Sequence, residues 1–268
     1  MAKLEVIRGG EVQGVANLLS KVRKARADSP TGAVWLRGLT NDAFRLVPSI
    51  GRPQTFANQT VTFNVAVERR LLHRFRRFAY EFVGRELSPW ETLLVARHHG
   101  LPVRLLDWTT SPSAALYFAC EFKHRREFPD ERIPNAKIWM LIPNSQQDDR
   151  LDVFDETQDP LEVKGVRLVY PMVVAPRINA QSGHFTIQGE PQKSLDDLAD
   201  TDYAEADMDV IRIIELIVPG EKRAEWLQEL HDQGMSRRTL FPDLDGLSAG
   251  LLSAQILRKD GGSPVAVT

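Results

Sequence analysis

The sequence predicts an α+β protein built on a mixed or antiparallel sheet, with helices early and again late in the chain. Two observations carry this. Helical spacing dominates the first 120 residues, and the strand-like runs 138–142, 166–170 and 211–218 then follow one another without intervening helices. That order argues against alternating βαβ units.

Residues 11–27 open the chain as an amphipathic helix, with Val12, Val15, Leu18, Leu19 and Val22 near helical spacing. Asp28-Ser29-Pro30-Thr31-Gly32 breaks it. Ala33-Val34-Trp35-Leu36 reads as a short buried strand ended by Arg37-Gly38, where a missing Cβ permits a sharp turn or a close approach. Residues 49–62 read as a loop. From Val65 to Val83 the pattern is helical and basic (Glu68, Arg69, Arg70, His73, Arg74, Arg76, Arg77). Those arginines suit either a solvated face or one that tracks phosphates.

Ser88-Pro89-Trp90-Glu91 is a helix start, with Ser88 as N-cap, Pro89 first in the helix and Glu91 closing a capping box. The helix should stop at Gly100, placing His98 and His99 on its last turn. There the negative end of the helix dipole favours their protonated forms. Leu101–Leu106 leads into Asp107-Trp108-Thr109-Thr110, and Ser111-Pro112 caps another helix carrying Ala115, Leu116, Phe118, Ala119 and Phe122. Its free N–H groups make an anion site. Later, residues 177–187 read as a loop entering a strand, and the acidic stretch 192–209 as an exposed loop. Helices run from about Glu221 to Asp232 and from Asp243 through Leu247, Leu251, Leu252 and Ile256. Residues 1–260 are expected to form one domain, with 261–268 a frayed tail.

Bulk composition sets bounds. An apolar fraction of 43%, a charged fraction of 26% and a net charge of −2 fit a soluble globular protein, with no global field toward nucleic acid or membranes. The single cysteine, Cys120, excludes an intrachain disulfide and reads as buried. No apolar run approaches a membrane span. Charge in Met1-Ala2-Lys3-Leu4-Glu5 is wrong for a signal peptide, so the expected location is cytoplasmic.

The chemistry concentrates in 98–111, where fourteen residues hold two His, an Arg, an Asp, two Thr and a Ser between two helix ends. Polar groups wedged between apolar helices are hydrogen-bonded or functional. Asp107 pairing with Arg104 would only fix a turn, and Arg37 could pair with Glu68 or Asp107 within the core. No metal pattern fits: adjacent His98 and His99 point apart, and the other histidines lack zinc spacing. Gly-x-x-x-x-Gly-Lys and Gly-x-Ser-x-Gly do not occur.

Trp35-Leu36-Arg37-Gly38 followed by Pro48-Ser49-Ile50 resembles the Phe/Tyr-Arg-Gly motif that names the FRG domain, with Leu36 in place of the aromatic. Arg97-His98-His99-Gly100-Leu101-Pro102-Val103-Arg104-Leu105-Leu106-Asp107-Trp108-Thr109 resembles that family's Gln-His-x-Gly-Leu-Pro-Thr-Arg-Leu-Leu-Asp-Trp-Thr, with Arg97 for the glutamine and Val103 for the threonine. Ala115-Leu116-Tyr117-Phe118-Ala119 and Arg177-Ile178-x-Ala180-Gln181-x-Gly183-x-Phe185 continue it, and Glu68 stands where the family has a glutamate. The resemblance covers about 33–190.

The pattern is also similar to a distant ADP-ribosyltransferase. That similarity implies NAD as substrate, Arg37 and Gly38 at the early strand, and Thr109 and Ser111 before the pocket helix. It also implies a late Gln181 or Glu190, the latter in a Gln-x-Glu spacing with Gln188. Arg37, His98, Asp107, Gln181 and Glu190 are the implied catalytic set. Arg37, Gly38, Glu68, Arg104, Thr109 and Ser111 are the implied NAD-binding set. A carboxylate would stabilise oxocarbenium character on the ribose, Arg37 would hold pyrophosphate or ribose, and His98 would orient a ribose hydroxyl or act as acid or base. FRG domains occur in bacterial and phage-related settings, which implies a toxin or phage-defence effector with a macromolecular acceptor and an inhibitory partner protein. A non-catalytic module binding a nucleotide, nucleic acid or protein is the alternative. A hydrolase or nuclease using His98, Asp107 and Glu68 is a third reading.

Overall fold

The computed structural model describes residues 4–121, 133–143, 159–170, 176–200 and 210–257. Its elements are β1 (Glu5–Glu11), α1 (Val15–Ala27), β2 (Trp35–Leu39), β3 (Gln54–Phe56), β4 (Gln59–Val61), α2 (Val65–Val83), α3 (Pro89–His98), β5 (Leu105–Thr109), α4 (Pro112–Cys120), β6 (Ala136–Pro143), β7 (Val166–Val169), α5 (Pro176–Ala180), β8 (Gly183–Gln188), β9 (Val210–Val218), α6 (Arg223–Asp232), α7 (Arg237–Leu240) and α8 (Leu244–Leu257). The fold is α+β. Seven strands form one sheet in the order β1-β9-β6-β2-β5-β8-β7, in which β1 runs parallel to β9 and every other pair is antiparallel.

Alternation along the strands divides the core. Leu36, Ile138, Met140 and Leu216 pack with α1, α4 and α6. Leu105, Phe185 and Ile187 pack with α2 and α3. Trp35, Leu39, Leu106, Trp108, Trp139, Leu141 and Ile213 project the other way, onto Leu46, Leu195 and Leu198. Since side chains alternate faces at period two, the first two clusters share one face of the sheet and the third lies on the other.

The sheet is weakest between β2 and β5. β2 pairs with β6 over five residues and β5 with β8 over five, but β2 and β5 meet only at Leu36 and Thr109. Beyond that pair the strands diverge, and the seam between the two helical layers lies above the split. Gly38 sits beside it. A Cβ there would stand 2.0 Å from the Ala115 carbonyl oxygen and 2.6 Å from the Ala119 nitrogen, so α4 can press on β2 only over a glycine.

Several expectations are corrected. Glu5–Glu11 is an edge strand, and α1 starts at Val15 rather than residue 11. The 49–62 loop contains a 3-10 turn and the β3–β4 hairpin. The 98–111 block is not a simple link between two helix ends, because β5 separates them. Residues 195–200 form a 3-10 turn whose Leu195 and Leu198 are buried, so this part of the acidic stretch is anchored rather than exposed. Phe122, most of the remaining acidic stretch and the 261–268 tail lie outside the described residues.

Candidate functional site

Arg37 leaves β2 where the strands part and bridges them by side chain instead of by ladder. Its Nη1 donates to the Asp107 carbonyl at 2.5 Å and to Asp107 Oδ2 at 3.2 Å. Asp107 shares its sheet face with Leu105, toward α3. From the last turn of α3, Arg97 donates Nε to Asp107 Oδ1 at 3.0 Å and Nη2 to Oδ2. The capping box of Ser88 and Glu91 fixes the start of α3, and Gly100 at φ +85° closes it, so Arg97 is presented from a rigid element.

Burial works against charge on Asp107, but Arg97 and Arg37 outweigh it and hold the carboxyl well below the ordinary range. Asp107 raises Arg97, with burial opposing. Burial lowers Arg37, which Asp107 counters and Arg97 reinforces. Two more arginines feel the same carboxylate. Arg52 is brought down to about 10, by burial first and then by repulsion from Arg37 and Arg97. Arg177 is lowered by burial, with Asp107 opposing. Its guanidinium lies 4.1 Å from the centroid of Phe241, whose ring also carries Arg237 at 4.6 Å. Two guanidiniums bind one carboxylate, and two more lie within its electrostatic reach.

The donors are unequally spent. Both Arg97 forks go to Asp107. Arg37 Nε is buried and unpaired, and Arg37 Nη2 has no partner among the described residues. Among the described residues Arg52 uses only Nε, on the Val47 carbonyl at 2.8 Å. This is a site with surplus positive charge and free planar donors, the chemistry that takes phosphate or carboxylate.

The implied residues separate into groups. Arg37 and Asp107 are brought together, and His98 follows Arg97 on the last turn of α3. His98 is pushed below its ordinary value by burial, His99 and Arg177, with Asp243 opposing. The dipole expectation for a protonated His98 is thus overturned, because desolvation and neighbouring positive charge exceed a terminal partial charge. Thr109 and Ser111 are turned to structural work. Thr109 Oγ1 donates to the Gln181 carbonyl at 2.6 Å and accepts from the Ser111 N–H, while Ser111 Oγ caps α4 through Ala114. Gln181 donates Nε2 to the Leu240 carbonyl at 3.0 Å.

Gln181 and Glu190 are not brought together. Gln181 precedes β8 and Glu190 follows it, so a whole strand, roughly 17–20 Å at ordinary rise, separates them. Glu190 is exposed and pairs with Lys193 at 2.8 Å. Glu68 and Arg104 lie in the core, both with 0% side-chain exposure. Glu68 Oε1 accepts the Arg104 backbone N–H at 2.9 Å, and Oε2 accepts Nε and Nη2 at 3.0 and 2.9 Å. The pair welds α2 to the start of β5 and does not face the seam, which takes Glu68 out of any trio with His98 and Asp107.

Arg52, Arg177 and Asp243 were not among the residues singled out from sequence as site members. Arg177 heads the last quoted motif and Arg52 follows Pro48-Ser49-Ile50, signals of place without a role. Asp243 carried none. Among the described residues, no group of three or more His, Cys, Asp or Glu is arranged to hold a metal ion, and no helix is long and apolar enough to cross a membrane.

Fold and site together define an α+β protein with a cationic seam over a split sheet. Residues 32–127 match the family model for the FRG domain, and the chain carries that domain. The match takes in β2, α2, α3, β5 and α4, hence Arg37, Glu68, Arg97, His98, Arg104 and Asp107, but not Arg177, Gln181 or Asp243. No curated protein and no solved structure matches the chain.

Proposed function

We propose that the chain is an NAD-using, ADP-ribosyltransferase-like enzyme acting as a toxin or phage-defence effector. The observation that supports this reading most is the grip of Arg37 and Arg97 on the Asp107 carboxylate, with Arg52 and Arg177 within its electrostatic reach. NAD brings a negatively charged diphosphate and a ribose whose bond to nicotinamide is the one broken in ADP-ribosyl transfer. Arg37 and its neighbours would hold the phosphates, and His98, uncharged near neutral pH, would accept a hydrogen bond from a ribose hydroxyl. Asp107 stays ionised and is the carboxylate that Arg37 and Arg97 hold.

The test is calorimetric titration with NAD to millimolar concentration, followed by chromatography for released nicotinamide. Binding and release are expected, and Arg37→Ala should abolish the NAD-induced rise in melting temperature while the fold survives. Absence of NAD binding would overturn the reading. Growth arrest on expression, relieved in the same variant, tests the effector role.

A non-catalytic binding module is favoured by a different observation. An open hollow of about 750 Å³ follows α2 beside Arg69, Arg70, His73 and Arg74, and Phe78 and Phe82 are exposed further along the helix. That reading expects salt-sensitive binding without nicotinamide release.

A further inference from the structure

Helix α2 is held to the body by one face. Glu68, Leu72 and Ala79 are its buried residues, Asn64 caps its start through the Val67 N–H, and Gly84 at φ +74° ends it. Two of its arginines are spent on carboxylates, Arg69 on Asp159 and Glu162 and Arg76 on Glu86. Arg70, Arg74 and Arg77 are exposed, and their guanidiniums make no hydrogen bond or ion pair among the described residues. Spaced four and three apart, they form one stripe opposite the buried face. Of the two glutamates in α2, Glu68 is buried against Arg104, and Glu81 stands on the stripe one turn beyond Arg77. The chain's net charge is −2, so the positive charge here is local.

Rings flank the stripe. Phe78 is 72% exposed, Tyr80 58% and Phe82 85%, and residues 80–86 are exposed without a break. At about 100° per residue, Phe78 and Phe82 fall on one side of the arginines and Tyr80 on the other. A bilayer is flat and cannot take both sets of rings without burying the guanidiniums between them. An acidic peptide satisfies the arginines and leaves the rings idle. A single strand of nucleic acid uses both, because its phosphates track the guanidiniums while its bases turn outward and stack. Arg70 to Phe82 spans about 18 Å of helix, room for a short run of nucleotides.

We propose that Arg70, Arg74 and Arg77, with Phe78, Tyr80 and Phe82, bind single-stranded nucleic acid along α2. This rests on the binding-module reading for α2 as a binding surface and is independent of turnover at the seam. The experiment measures fluorescence anisotropy of labelled oligo(dT) and oligo(U), each about a dozen nucleotides long, with the whole chain at several salt concentrations. Three phosphate contacts predict a slope of log affinity against log salt of roughly −2. Arg70→Gln, Arg74→Gln and Arg77→Gln combined should abolish binding. Phe82→Leu is expected to weaken it roughly 10-fold and Phe82→Tyr to preserve it, since a stack needs a ring and a merely apolar contact does not. Glu81→Gln should tighten it. All these side chains are exposed, so the melting temperatures should stay unchanged.

Oligonucleotide affinity unchanged in the triple variant would overturn the assignment and leave a binding module with another surface. Affinity indifferent to Phe82→Leu would also overturn it, as would binding to phosphatidylserine vesicles or polyglutamate but to neither oligonucleotide. Binding lost in the triple variant, in a chain that also releases nicotinamide from NAD, would support the assignment and sink the non-catalytic reading.

Discussion

Arg97 grips Asp107 with two prongs across the gap between α3 and β5, Nε to Oδ1 at 3.0 Å and Nη2 to Oδ2, while Arg37 shares Oδ2 at 3.2 Å. A carboxylate held this way links pH to stability. Its folded-state pKa lies below the unfolded value of 3.8, so its contribution is complete above that value and declines as pH falls toward the folded one. The Asp107 side chain is 40% exposed, so solvent screening keeps the gain small. Arg97→Gln should therefore cost roughly 1–3 kcal/mol at pH 7 and less at pH 3. Urea denaturation at the two pH values checks this. A cost that grows in acid would contradict it.

The Glu68–Arg104 pair is a different case, since both side chains are fully buried. Removing one partner leaves an uncompensated charge in the core, and Glu68→Ala is expected to cost about 3–5 kcal/mol. Replacing both, as Glu68→Leu with Arg104→Met, should recover most of the loss. Guanidinium unfolding of the two variants reads this directly, and a Glu68→Ala loss below about 1 kcal/mol would show that the pair is not desolvated as described.

Gly38→Ala forces a methyl against the Ala115 carbonyl and the Ala119 nitrogen. Both neighbours are backbone and cannot rotate away, so α4 must shift from β2. Overpacking of this kind costs about 1–3 kcal/mol or more. Melting temperature and near-ultraviolet circular dichroism should both change, and an unaltered melting curve would argue against the contact.

Cys120 is buried within α4, and burial pushes its thiol up to about 12. It should react with a thiol reagent only through unfolding. The labelling rate is expected to follow denaturant concentration with the unfolding transition, and rapid labelling of the native protein would contradict this.

What the sequence made legible follows from local chemistry. Ser88-Pro89-Trp90-Glu91 and Ser111-Pro112 start α3 and α4 where their caps place them, because capping involves neighbouring residues only. β1 escaped because its residues are mostly exposed and carry no hydrophobic alternation, and pairing with β9 two hundred residues away makes it a strand. The Arg37–Asp107 relation was one of the pairings left open, and the structure selects it over Arg37–Glu68. Arg52 and Arg177 were invisible as members of this charge group because they stand at opposite ends of β5. Arg52 stands by the turn bonded to Val103, and Arg177 by the segment that bonds Thr109. No spacing rule encodes that convergence.

His98 offers a readout of the seam's field. Burial, His99 and Arg177 lower it from 6.5, and Asp243 only partly compensates. A histidine whose folded value is depressed binds its proton less readily in the native state than in the unfolded one. Its contribution is therefore intact above pH 6.5 and lost as pH falls through the window below it. Arg177→Gln removes one of the lowering charges, so the His98 ring resonances should titrate at higher pH in that variant. A bound phosphate-bearing anion should move the titration the same way and further, because it screens Arg177 and adds negative charge beside the ring. Proton–carbon correlation spectra of the histidine rings, recorded against pH with and without pyrophosphate, would show both shifts. A His98 titration that ignores both Arg177→Gln and pyrophosphate would place the histidine outside the site.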